Sequence, residues 1–204
     1  MNRHNDHPIP LCGLVLAGGG SSRMGRDKAS LRHPDGRPLG LRAFALLAEA
    51  GCESVALSLR AGQELPDGFS MTSPPAVIRD PEGASDGPLA GILAAMRTRP
   101  DADWLVVACD LPRLDLPTLA ALIGARVPGE RFLAFRSEHD GLPEPLCAVY
   151  ARESVHLLEA MLAGGMRCPR NILLNHDCRL LESVSPRALD NANTPDQWES
   201  TVKP

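Results

Sequence analysis

The sequence predicts a doubly wound α/β sheet. Short apolar runs bounded by Gly, Pro and Asp recur along the chain, and stretches with helical apolar spacing separate them. Three of the apolar runs end in residues suited to holding a ligand, Gly18, Asp80 and Asp110. Sheets of this class bind ligands beyond the carboxyl ends of their strands, where those three residues fall.

The first strand is read over residues 10–16 and stops abruptly at a glycine-rich segment. After Pro38, residues 39–50 carry apolar side chains at helical spacing and close at Gly51, a C-terminal cap; Ser54–Leu59 then reads as the second strand. A short apolar run over 76–78 precedes Arg79-Asp80, and residues 87–91 (GPLAG) open a helix running to about Met96. The next strand, over 104–108, ends in Cys109-Asp110-Leu111-Pro112, followed by a helix over 116–125 with Pro117 in its first turn. Beyond residue 130 the pattern changes. Residues 131–135 and 146–150 read as two further strands, consistent with an antiparallel addition, and a helix follows over about 154–163, where Leu157, Leu158, Met161 and Leu162 have core spacing.

Bulk composition sets the limits on function. With 204 residues, 44% hydrophobic and 23% charged, the chain has the make-up of one globular domain over residues 1–204. Twenty-five acidic against twenty-one basic residues give a formal charge of −4, so no global field draws it to nucleic acid or an anionic membrane. No apolar stretch approaches the ~20 residues that span a bilayer, and the start MNRHNDHPIP lacks an apolar signal core. Six scattered cysteines contain no C-x-x-C pair, which predicts reduced, buried thiols and a cytoplasmic protein. His176 and Cys178 are too few for a transition-metal shell.

Chemistry concentrates in residues 16–28 (LAGGGSSRMGRDK). Consecutive glycines after a strand let backbone N–H groups approach an anion, and Arg23 and Lys28 supply charge to neutralise phosphates. Taken alone, the triplet reads equally well as a tight turn. The segment matches neither G-x-x-x-x-G-K-[ST] nor G-x-G-x-x-G, which disfavours P-loop and nicotinamide chemistry. Asp110 at a strand end is placed to hold Mg²⁺ through oxygen, while capping the next turn is the competing role. Asp80, before Pro81, has the same two readings.

Residues 13–28 (GLVLAGGGSSRMGRDK) resemble the signature of nucleotidyltransferases that build sugar nucleotides and molybdenum cofactor dinucleotides. Three more segments, in the same order, are similar to the molybdenum cofactor guanylyltransferase family: Asp80 with GPLAG at 87–91, CDLP at 109–112, and NANTP at 191–195. The resemblance spans nearly the whole chain. It implies a three-layer α/β/α sandwich with a mostly parallel, Rossmann-like sheet, its N-terminal half binding nucleotide and its C-terminal half the acceptor. The implied reaction transfers GMP from GTP to molybdopterin, giving molybdopterin guanine dinucleotide and pyrophosphate, with Mg²⁺ as cofactor and molybdenum cofactor insertion or recipient proteins as partners.

By the same likeness Leu16, Ala17, Gly18 and Gly19 line the guanine and phosphate pocket, and Lys28 contacts the phosphates. Asp80 helps hold the nucleoside, Asp110 binds Mg²⁺, and Asn191 and Asn193 complete the site. Ser58 stands where the family has a nucleotide-contacting Asn, so it is not counted as a site residue. On the acceptor side Arg167 and Arg170 read either as ligands of the pterin phosphate or as solvated charges at a helix end. The Gly18-Gly19 pair resembles guanylyltransferases, whereas cytidylyltransferases of the same cofactor tend toward Leu-Ala-Ala-Gly. A cytidylyl or sugar-phosphate nucleotidyltransferase, and a non-catalytic nucleotide or cofactor carrier, are the competing readings.

Overall fold

A computed structural model describes residues 9–18, 27–70, 72, 74–80 and 87–192. Its first half alternates strands and helices: β1 (Leu11–Leu16), α1 (Leu39–Glu49), β2 (Ser54–Leu59), β3 (Ala76–Arg79), α2 (Pro88–Thr98), β4 (Asp103–Ala108) and α3 (Leu116–Gly124). The second half contains β5 (Phe132–Arg136), β6 (Pro143–Tyr150), α4 (Val155–Ala163), α5 (Pro169–Asn175) and β7 (Cys178–Leu181). The seven strands form one sheet in the order β3-β2-β1-β4-β6-β5-β7. Every pairing is parallel except those of β6, which runs antiparallel to both β4 and β5.

Side-chain alternation along the strands builds two cores. Leu11, Val15, Leu57 and Leu105 point to one face and meet Leu47 of α1 and Leu119 and Leu122 of α3. Cys12, Leu14, Trp104 and Val106 point to the other and meet Ile92 and Met96 of α2, Leu158 of α4 and Ile172 of α5. Helices on both faces give the three-layer α/β/α sandwich, and they explain why β1 and β4 read as continuous apolar runs. A Cβ on Gly13 would meet Leu47 Cβ and Cδ1, both at 3.1 Å, so glycine lets α1 cross β1 closely. From β1 the chain steps outward to β2 and β3, then returns to the opposite side of β1 as β4. The reversal leaves a crevice between the carboxyl ends of β1 and β4.

The second half holds the differences from expectation. Strand β6 begins at Pro143 rather than 146, and a register irregularity lies opposite it between Ala134 and Arg136. Helix α5 and strand β7 have no counterpart among the sequence-based elements; each is short, and all four residues of β7 are only partly buried, so neither imprints a clear period. Leu158 is fully buried while Leu157, Met161 and Leu162 pack partly against the same core, as their spacing predicts. Cys168 is exposed, contrary to the buried thiol expected. Among the described residues no helix is long and apolar enough to cross a membrane.

Candidate functional site

The crevice holds a cleft of about 470 Å³. Leu16, Ala17, Gly18, Lys28, Asp80 and Asp110, the nucleotide-site residues expected from sequence that the structure describes, all line it. Gly19, Arg23 and Asn193 lie outside the described residues.

Strand pairing positions the floor. The Ala17 N–H donates to the Ser58 carbonyl at 3.0 Å and the Cys109 N–H to the Leu16 carbonyl at 3.2 Å, carrying the ladders past the strand ends. Gly18 follows, and a Cβ there would stand 3.3 Å from both the backbone N and Cγ of Arg60. Lys28 opens a short 3₁₀ turn whose start is fixed by Asp27, its Oδ1 accepting from the Ala29 N–H at 3.0 Å. From that turn Lys28 Nζ donates to Asp110 Oδ2 at 2.8 Å, joining residues 82 apart in sequence across the switch point. Both side chains are roughly one-fifth exposed, at 19% and 17%, so the pair is shielded yet reachable from the cleft. Asp80 extends β3, its N–H donating to the Leu59 carbonyl at 3.1 Å.

The other walls come from residues that the sequence did not single out as site residues. Ser58 and Arg60 close the carboxyl end of β2, Gly87, Pro88 and Gly91 bring the start of α2 over the floor, and Leu146 enters from β6. Ser58 and Arg60 were available to the same strand-end rule that selects Asp80, whereas Leu146 joins only because β6 lies beside β4. A Cβ on Gly91 would overlap Ser58 Oγ, so helix and strand touch here only because position 91 is glycine. Burial pushes the Cys109 thiol far above its ordinary range and neighbouring Asp110 adds to the effect; the thiol stays protonated and is no nucleophile.

On the acceptor side, the Ala192 N–H donates to the Asp110 carbonyl at 3.1 Å, which sets exposed Asn191 beside the metal-ligand candidate. The Arg167 carbonyl lies 3.5 Å from where a Gly87 Cβ would stand, which brings exposed Arg167 to the cleft rim. Arg170 is instead held between Asp140 (2.8 Å) and Glu144 (3.1 Å).

Among the described residues no group of three His, Cys, Asp or Glu side chains could hold a metal alone. A single carboxylate, Asp110, lining a cleft of this size fits Mg²⁺, which keeps its waters and takes substrate phosphates as further ligands.

Residues 13–179 match the family model described as the MobA-like NTP transferase domain. A molybdenum cofactor biosynthesis bifunctional protein of Synechocystis sp. is 34% identical over 189 residues, 93% of this chain and 53% of the relative, so the chain spans about half of that longer protein. A molybdenum cofactor guanylyltransferase of Rhodopseudomonas palustris is 33% identical over 199 residues, 94% of this chain and 91% of the relative. The fold is that of molybdopterin-guanine dinucleotide biosynthesis protein A from Archaeoglobus fulgidus, with a TM-score of 0.73 over 94% of this chain and 96% of that one at 23% identity. With the family-model match over residues 13–179 and these likenesses together, the chain belongs to the MobA-like NTP transferase family.

Proposed function

We propose that this nucleotidyltransferase transfers GMP from GTP to the terminal phosphate of molybdopterin, yielding molybdopterin guanine dinucleotide and pyrophosphate. One observation carries the reading: Lys28 and Asp110 meet at 2.8 Å at the topological switch point, at the edge of a cleft floored by Leu16, Ala17 and Gly18. A cation and a carboxylate so placed suit phosphoryl chemistry, in which catalysis is mainly positioning and charge neutralisation.

Lys28, with Arg23 and the amides of Gly18 and Gly19, neutralises the triphosphate so that an anionic acceptor can approach the α-phosphorus in line. Leu16, Ala17 and Asp80 hold the nucleoside. Asp110 is the Mg²⁺ ligand; bound there, the ion would offset charge on the phosphates of donor and product. Without nucleotide, Lys28 and Asp110 compensate one another. The acceptor phosphate is ionised near neutral pH, so no side chain need remove a proton, in keeping with the neutral Cys109. For the acceptor we assign Arg167 at the rim and Asn191 beside Asp110, with Arg170 and Asn193 completing the set carried over from the family likeness. The single sheet supports one nucleotidyltransferase domain, and the same reading places the protein in the cytoplasm, passing its product to insertion or recipient proteins.

Pyrophosphate release from GTP and molybdopterin with Mg²⁺ tests the assignment. Lys28→Ala and Asp110→Ala each lower turnover at least about 100-fold, the scale expected for removing one electrostatic contributor, with circular dichroism unchanged. Near-normal turnover in either variant refutes the assigned roles.

A further inference from the structure

The guanidinium of Arg60 makes no hydrogen bond or ion pair among the described residues, although it lines the cleft. Its backbone, by contrast, is tightly held. The Arg60 N–H donates to Gln63 Oε1 at 3.1 Å, and its carbonyl accepts from the Gln63 N–H and from Arg79 Nη1, both at 3.1 Å. Arg79 also donates to the Gln63 carbonyl at 2.7 Å, and Gln63 Nε2 donates to the Ala17 carbonyl at 3.0 Å. The connection after β2 is thereby stitched to β3 and to the start of the glycine-rich segment. A fixed backbone carrying an uncommitted cation is a pre-organised ligand contact.

Its position indicates which part of a nucleotide it meets. Leu59 pairs with Arg79 in the β2–β3 ladder, so Arg60 and Asp80 are the next residues of adjacent strands, and both line the cleft. Strands β2 and β4 flank β1, which puts the Arg60 end two strand spacings, about 10 Å, from the Asp110 end. With the phosphates at Lys28 and Asp110, a nucleoside held by Leu16, Ala17 and Asp80 lies across the carboxyl ends of β1, β2 and β3, where Arg60 stands in the middle. Guanine presents two acceptors, O6 and N7, on one edge, which a guanidinium fork meets in bidentate fashion; cytosine offers an N4 donor there instead.

Resting on the guanylyl-transfer reading, we propose that Arg60 is a specificity-determining residue that donates to O6 and N7 of guanine. Arg60 is exposed, so its replacement leaves the core intact. Calorimetric binding with Mg²⁺ compares GTP, 7-deaza-GTP and CTP on the wild type, Arg60→Ala and Arg60→Lys. The wild type binds 7-deaza-GTP more weakly than GTP because N7 is gone. Arg60→Ala loses about 10- to 100-fold in GTP affinity, no longer distinguishes GTP from 7-deaza-GTP, and binds CTP as before. Arg60→Lys keeps the charge without the fork and retains most of that loss. An equal loss for all three nucleotides, the mark of a phosphate contact, overturns the proposal, as does no loss at all. Tighter CTP than GTP binding by the wild type instead overturns the guanylyl reading, whatever the variants do.

Discussion

Gly91 and Ser58 illustrate how one atom sets the shape of the cleft. A Cβ at position 91 overlaps Ser58 Oγ, and Leu16 Cδ2 stands 3.3 Å away on another side, so the added methyl has no room. Gly91→Ala drives the Ser58 hydroxyl aside, costing about 1–3 kcal/mol of stability and lowering GTP affinity. Adding Ser58→Ala removes the overlapping oxygen and recovers most of both losses in thermal unfolding and calorimetry; a double variant no better than the single one would place the strain elsewhere. The thiols follow burial in the same way. Burial pushes Cys109 and Cys147 far above the ordinary thiol range, Cys52 up to about 12 and Cys178 to about 11, whereas Cys168 is exposed. Iodoacetamide at pH 8 therefore labels Cys168 first without changing GTP binding and reaches Cys109 only on unfolding, an order that peptide mass spectrometry reads directly.

Among the elements, α3 shows the clearest link from sequence to stability. Asp115 caps it, Oδ1 accepting from the Thr118 N–H at 3.0 Å and the Thr118 hydroxyl at 2.5 Å. Burial opposes ionisation, but bonds from Thr118 and Ser185 outweigh it and hold the carboxyl below its usual range. A depressed folded-state pKa means stabilisation that is present above the unfolded value, about 3.9, and lost as pH falls through the folded one. Asp115→Asn should thus flatten the decline of stability below about pH 4, and Asp115→Ala should cost about 1 kcal/mol at pH 7. Urea titrations across pH report both, and an unchanged acid limb for Asp115→Asn would remove the cap from the account.

The same elements show what the sequence could convey. Strand β4 is buried along its whole length and α2 buries seven of its residues, so both leave continuous apolar signals. Strand β7 has four half-buried residues at the sheet edge and α5 only seven residues, too little for a period to emerge. Arg60 and Gln63, just past the second strand, carry no pattern in the sequence, because their links to Arg79 and Ala17 depend on strand order.

Across the whole molecule, stability and chemistry occupy opposite ends of the sheet. At the start of β4, Asp103 is 6% exposed; its Oδ2 accepts from Arg126 at 2.6 Å and its Oδ1 from the Arg152 N–H at 3.0 Å. Asp103→Ala leaves the half-buried Arg126 uncompensated and costs on the order of 3 kcal/mol in denaturant unfolding, with the KM for GTP unchanged. At the other end, Lys28 and Asp110 were individually legible as strand-end and loop residues, but their 2.8 Å meeting needed β4 to return beside β1. Arg167 and Arg170, alike in sequence, separate in the fold: one borders the cleft and the other is locked between Asp140 and Glu144.

The central claim is tested most directly by offering the protein equimolar GTP and CTP with molybdopterin and Mg²⁺ and identifying the dinucleotide by mass spectrometry. The account predicts the GMP adduct in the wild type and no adduct in Asp110→Ala. A CMP adduct, or no adduct from the wild type while GTP is bound, would contradict it.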